Sequence, residues 1–302
     1  MLLLFSGIGF AQTPIYEFNF DGNLTDNLNS ATLFTSTPTV PTYSVDRFGV
    51  SNKALSSNST SANVNLANLP VGNAARSVSF WVKFNNISFT NHDIFGYGTL
   101  SDNQAFAFQQ ISEYSTGVSS VKIFGWGSNT YNVVHDIPTN ANVWYHYVIT
   151  SDVTTPGVGG ATTKIYRDNV LIKQQTNVGR NTVGTTFYVG KSTGGSGSSN
   201  ASIDDLKIYN YALSQAQVNA LSNQDFNSNN LKFSLYPNPA TNLVNIDLAT
   251  ELKSVEIYSL QGQKVLTSNK NQVDVFSLSK GMYMVRVKDV ENGVSTQKLV
   301  VK

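Results

Sequence analysis

The chain of 302 residues contains no cysteine, which excludes disulfides, zinc–thiolate centres and cysteine nucleophiles. Its cores must therefore hold by packing alone, which a chain of this length can do because the buried fraction of the surface rises with size. Charge is scarce as well: Asp, Glu, Lys and Arg make up 13% of the residues, and the formal net charge is +1. Ahead of residue 231 there are 11 basic and 13 acidic side chains, and from there on 9 and 6, with no cluster of Lys and Arg in either part. That pattern argues against nucleic acid as a partner. Long apolar runs are missing too. Beyond the first dozen residues nothing approaches the roughly 18 consecutive apolar residues that mark a membrane span.

Asn, Ser, Thr and Gly are plentiful, a composition of many short strands joined by polar turns, and the length predicts two folded units. Residues 1–11 form an apolar run that closes on Gly9, Phe10 and Ala11, the small-residue pattern of a secretory signal peptide, although a basic start is missing. A buried first strand is the alternative. From Ile15 onward, period-two alternation recurs between turn-rich stretches, the signature of a β-sandwich. Val78, Phe80, Val82 and Phe84 share one face of their segment, and Val143, Tyr145, Tyr147 and Ile149 share one face of theirs. Asp168 and Asn169 separate two further alternating runs and tolerate the positive φ of a tight hairpin. Ser214 and Gln217 have capping-box spacing, with Leu213 and Val218 placed as a hydrophobic staple, so one short helix begins there and runs to about Leu221.

FDGN near the start, SVSFWVKF, VWYHYVIT, KIYRDNVLI, FYVGKS and IDDLKIYNYALSQAQV, in that order, resemble the laminin-G-like, concanavalin A-like jelly-roll family. The resemblance implies an all-β, two-sheet jelly-roll sandwich over residues 12–222, used for binding carbohydrate or protein and often carrying structural calcium. Residues 223–231 read as an Asn/Ser-rich linker. Beyond it, the order of YPNP (236–239), VEIY (255–258), Gly262 with Gln263, KGMY (280–283) and QKLV (297–300) resembles the type A C-terminal sorting domain of the type IX secretion system. Alternation there predicts a small Ig-like antiparallel β-sandwich over 232–302, with a last turn at Asn292 and Gly293. The resemblance implies passage through the periplasm and export by the type IX machinery, to be secreted or held at the outer cell surface.

Catalysis needs more than the sequence offers. Glycoside hydrolysis calls for two carboxylates across the bond, yet only Glu17 and Glu113 are Glu ahead of the linker, and the paired-Glu strand motif of laminarinase-like relatives is absent. Asp204 and Asp205 are adjacent on a strand, where neighbours point to opposite faces. His92, His135 and His146 lack metal-binding spacing, and His146 reads as a packed sheet residue. Residues 193–200 read as a flexible loop. Calcium, which takes six to eight oxygens, is the inorganic candidate: Asp21, Asn23 and Asp26 near the first strand, with Asp204 and Asp205 near the last. Ile203 and Leu206 have opposite parity, so burying both requires a bulge that turns an Asp toward a shared site. The competing reading has Asp21 and Asp26 serving turns and the later pair solvated.

Trp126 and Tyr97 each sit between glycines, a setting that presents a ring for stacking against a sugar or lets backbones pack beneath a buried ring. The function expected is a non-enzymatic surface or released protein binding polysaccharide through its jelly roll. The alternatives are an adhesion protein binding other proteins, and a glycan hydrolase with an unrecognised site.

Overall fold

The computed structural model describes residues 13–58, 60–87, 91–112, 119–153, 160–195, 197, 199–224, 231, 233–259, 264–290 and 294–302. The expected signal segment, most of the linker, Glu113, and the turns at Gly262 and Asn292 lie outside them. The chain divides into two compact units, Met1–Val218 and Asn219–Lys302.

In chain order the first unit contains β1 (Tyr16–Phe18), β2 (Thr35–Thr37), β3 (Tyr43–Ser44), β4 (Ala54–Ser56), β5 (Ser61–Asn65), β6 (Arg76–Phe84), β7 (His92–Gly98) and β8 (Ala105–Ser112). It continues with β9 (Ser119–Phe124), β10 (Val133–Asp136), β11 (Trp144–Val153), β12 (Gly160–Arg167), β13 (Val170–Gly179), β14 (Thr186–Val189) and β15 (Ala201–Tyr209). Among the described residues these form an eight-stranded sheet, ordered β13-β12-β11-β6-β15-β4-β3 with β1 also on β15, and a seven-stranded sheet, β10-β9-β8-β7-β14-β5-β2.

The alternation decides which side chains meet between the sheets. Val78, Phe80, Val82 and Phe84 of β6 and Tyr147 and Ile149 of β11 are at most 1% exposed. Phe80 packs edge-on against Phe95 and Phe108 of the other sheet, with ring centroids 5.5 and 5.0 Å apart. Val143 departs from the predicted face: it is 41% exposed and precedes β11, because Asn142 takes a left-handed conformation (φ 62°) and donates its N–H to Phe84 O. The hairpin at Asp168 and Asn169 forms as the sequence predicts, with φ 51° and 69° and Arg167 opposite Val170. So does the capping box. Gln217 Oε1 accepts the Ser214 N–H at 2.7 Å, and Ser214 Oγ accepts the Gln217 N–H at 3.4 Å. The helix, α1, spans Gln215–Gln224 and so runs one turn further than expected.

The second unit holds β16 (Phe233–Tyr236), β17 (Leu243–Leu248), β18 (Leu252–Ser259), β19 (Lys264–Ser268), β20 (Gln272–Asp274), β21 (Gly281–Asp289) and β22 (Val294–Val301). They form two antiparallel sheets, β16-β17-β20 and β19-β18-β21-β22. Val244, Ile246, Val255, Ile257, Tyr283, Val285 and Val287 fill the core between them, as the alternation predicts. β16 stops at Tyr236, where Pro237 and Pro239 withdraw the N–H groups a strand needs.

Candidate functional site

The outer face of the seven-stranded sheet carries a groove of about 410 Å³ lined by Gln109, Lys122, Phe124, Trp126, Gly127 and Asn132. Its floor follows from the pleat. On β8, Phe106 and Phe108 enter the core and Gln109 takes the opposite face; on β9, Val121 and Ile123 enter the core and leave Lys122 and Phe124 outward. The chain then turns through Gly125, Trp126 and Gly127, with φ of 66° at Trp126 and 77° at Gly127.

That turn is fixed to its neighbours. Asn103 N–H donates to Trp126 O (3.4 Å), Ala105 N–H to Gly125 O (3.3 Å), and Gly125 N–H to Asn132 Oδ1 (3.4 Å). Beneath it lies Arg180, whose Nη1 donates to Tyr131 O at 2.8 Å. A Cβ on Gly125 would come within 2.9 Å of Tyr131 Cβ and 3.2 Å of Tyr131 O, besides 2.8 Å of that nitrogen, so glycine is required there. The Trp126 side chain is left 41% exposed at the groove, its ring 6.5 Å from that of Phe124.

Polar groups surround this apolar surface. Gln109 Nε2 donates to Asp93 Oδ1 at 3.0 Å, and Lys122 Nζ lies 5.5 Å from the centre of the Phe124 ring. Burial pulls the Lys122 amine below its ordinary pKa, and the Asp93 charge partly offsets the shift. An aromatic platform edged by amide and ammonium donors can stack against the apolar face of a sugar ring and hydrogen-bond its oxygens.

Of the two aromatic residues singled out in the sequence, only Trp126 reaches this groove. Tyr97 is a correction: it is 1% exposed, because on β7 it shares the inward parity of Phe95. Its hydroxyl donates to Pro70 O (3.0 Å) and accepts from Arg76 Nη1 (2.8 Å). Gln109, Lys122, Phe124 and Asn132 escaped sequence reading. Alternation marks Gln109 and Lys122 as outward-facing, but not which outward face the Trp126 loop borders.

The calcium candidates do not converge. The predicted bulge in β15 exists: Asp204 pairs with Trp81 and Lys207 with Ser79, while Ile203 and Leu206 are both 1% exposed and Asp205 has φ 45°. It turns both carboxylates onto Arg47, whose Nη1 lies 3.0 Å from Asp204 Oδ2 and 2.6 Å from Asp205 Oδ2. A guanidinium in that place occupies the position a cation would need. Asp21 pairs with Lys53 at 2.9 Å, and Asn23 Oδ1 accepts the Thr25 N–H at 2.9 Å. Asp26 differs. Its Oδ1 accepts the N–H groups of Glu17 and Leu28, yet Oδ2 is buried without a hydrogen-bond partner, as is Asn19 Oδ1. Among the described residues no group of three or more His, Cys, Asp or Glu side chains is placed to hold a metal ion.

Ser79 Oγ and His146 Nε2 are 2.8 Å apart, the spacing of a nucleophile and its base, but both residues are 2% exposed and His146 Nδ1 has no partner to orient the ring. His146 stacks on Trp81 at 5.0 Å, and burial, aided by Arg47 and Lys207, lowers its pKa to about 3. It is a packed sheet residue, as its sequence setting suggests.

Among solved structures, the chain resembles domain 4 of AbnA, a GH43 extracellular arabinanase from Geobacillus stearothermophilus, at 20% identity and a TM-score of 0.51 over 69% of this chain and 98% of that one. It also resembles the botulinum neurotoxin DC binding domain solved with rat synaptotagmin II (12% identity, TM-score 0.53, 95% and 73% of the two chains). A third is the botulinum neurotoxin serotype D ligand-binding domain solved with N-acetylneuraminic acid (13%, 0.50, 92% and 71%). No curated protein sequence matches. No helix among the described residues is long and apolar enough to cross a membrane. Residues 58–219 match the concanavalin A-like lectin/glucanases superfamily, and residues 234–302 match the secretion system C-terminal sorting domain. The chain belongs to the concanavalin A-like lectin/glucanases superfamily and carries a type IX sorting domain, which makes it a secreted or cell-surface protein.

Proposed function

We propose that this is a non-catalytic carbohydrate-binding protein, working at the cell surface or after release, whose groove beside Trp126 holds a segment of polysaccharide. The observation that carries the reading is Trp126 itself: an indole 41% exposed, held at positive φ by a hydrogen-bonded turn, beside an aromatic and amide-lined groove. The arabinanase domain was solved with arabinotriose and the neurotoxin domain with N-acetylneuraminic acid, so this fold has accommodated sugars elsewhere. Hydrolysis would need two carboxyl groups about 5–9.5 Å apart across the bond. Among the described residues the groove lining includes none, and nearby Asp93 is engaged by Gln109.

Structural calcium belongs in this proposal at Asp26, whose Oδ2 is buried without a hydrogen-bond partner, and not at the Arg47-bound pair. The test of the main reading is a glycan array with the full chain and Trp126→Ala. Binding lost in the variant, with no release of reducing sugar by either protein, supports it. Binding that survives Trp126→Ala, or cell adhesion without glycan binding, overturns it.

A further inference from the structure

Behind the Trp126 turn lies Arg180, which shares the Phe106 ring with Arg76, and neither arginine meets a carboxylate among the described residues. Arg76, 1% exposed, gives its N–H groups to neutral acceptors only: Ala74 O, Gly72 O, Tyr97 Oη and Thr182 Oγ1, each at 2.8 Å. Arg180, 2% exposed, has Tyr131 O for Nη1, while its Nε and Nη2 are buried without hydrogen-bond partners. Its guanidinium lies 5.4 Å from the Phe106 ring centre and directly under Gly125, the residue between Phe124 and Trp126. Burial and the Arg76 charge lower the Arg180 pKa to about 9, so the group is still a cation at neutral pH.

Among the described residues, the one ionised side chain lining the groove is also a cation, Lys122. Among the described residues three acids face the same region, and one of them, Asp136, is exposed on β10 and accepts a hydrogen bond from Ser120 Oγ at 2.6 Å. Asp93 is 4% exposed, bonded to Gln109, and offsets part of the Lys122 charge. Asp102 is exposed beside Gly127, where water and salt screen it. Buried charges are screened far less. At the groove itself the least screened charges are thus the cations of Lys122 and Arg180 against the single desolvated anion of Asp93.

We infer that the ligand of this groove is an acidic glycan, with a sugar ring on Trp126 and its carboxylate directed to Lys122 Nζ above the Arg180 guanidinium. The inference rests on the reading of the groove as a glycan site. A carboxylate delivered there makes a charge-assisted hydrogen bond, stronger than a neutral hydroxyl can make.

The test measures binding of the full chain to polygalacturonate and to the same polymer with its carboxylates methyl-esterified, with neutral arabinan as a further probe. We expect the acidic polymer to bind at least about tenfold more tightly than its ester, the difference to shrink at high salt, and Lys122→Gln to abolish the preference while leaving the Tm unchanged. Equal binding of acid and ester, or of arabinan, in a Trp126-dependent manner overturns the acidic preference and leaves the glycan reading standing. No binding of any of the three polymers defeats both.

Discussion

The Arg47 guanidinium lies 3.0 Å from the Asp204 carboxylate, and both side chains are at most 7% exposed. Arg47 also covers the Trp81 ring at 4.8 Å and the Phe48 ring at 4.3 Å, so one side chain joins the segment between β3 and β4 to the outer face of the eight-stranded sheet. Removing it takes the cation from the buried Asp204 carboxylate and from the Asp205 carboxylate beside it. Arg47→Ala should cost about 3–5 kcal/mol, as breaking one side of a buried ion pair does. Burial and Asp205 already raise the Asp204 pKa, with Arg47 opposing them. A raised carboxyl pKa costs stability above that pKa and is relieved as pH falls, so the deficit of the variant should narrow in acid. A chemical-denaturation series against pH reads this, and a deficit independent of pH would count against the clamp.

His146 acts in the opposite direction. With its pKa lowered to about 3, the native ring stays neutral where the unfolded chain takes up a proton near its ordinary value of 6.5. Stability is then full above about pH 6.5 and declines as pH falls toward 3, at up to about 1.4 kcal/mol per pH unit. His146→Gln should flatten that part of the stability profile. An unchanged slope would mean that the ring is not held neutral in the native fold.

Asp26 gives a direct reading of the calcium proposal. Adding calcium to the full chain should raise the Tm, with a chelator reversing the rise, because a ligand that binds only the native state stabilises it by mass action. Asp26→Asn should remove the response, while Asp204→Asn should keep it. A wild-type Tm indifferent to calcium and chelator would dispose of the ion altogether.

The C-terminal unit makes a prediction about place. Deleting residues 231–302 removes the sorting domain and leaves the jelly-roll core intact, since that core is closed by β15 pairing with β6 and β1. The truncated protein should be trapped in the periplasm, as cell fractionation would show. Surface display at the full-length level would contradict the sorting role.

Local features of the fold are legible in the amino-acid sequence. The hairpin at Asp168, the cap at Ser214 and the core face of β6 are decided by residues a few positions apart, and each forms as the sequence predicts. The β15 bulge is legible for the same reason, since two buried residues of opposite parity leave the pleat no other solution. What Asp204 and Asp205 do there is not legible. Their partner, Arg47, is 157 positions from Asp204 in sequence and reaches it only because β15 pairs with β4 and β6.

Tyr97 and Trp126 divide along the same line. Each sits between glycines, and composition cannot separate them. The sequence by itself determined the strand pattern, the two units, the helix cap and the sorting motifs, because alternation, turn chemistry and capping act over short spans. Only the tertiary structure decided that Tyr97 faces the core while Trp126 borders the groove. Which face of a strand is covered depends on the sheet packed against it, and that sheet is built from residues far away along the chain.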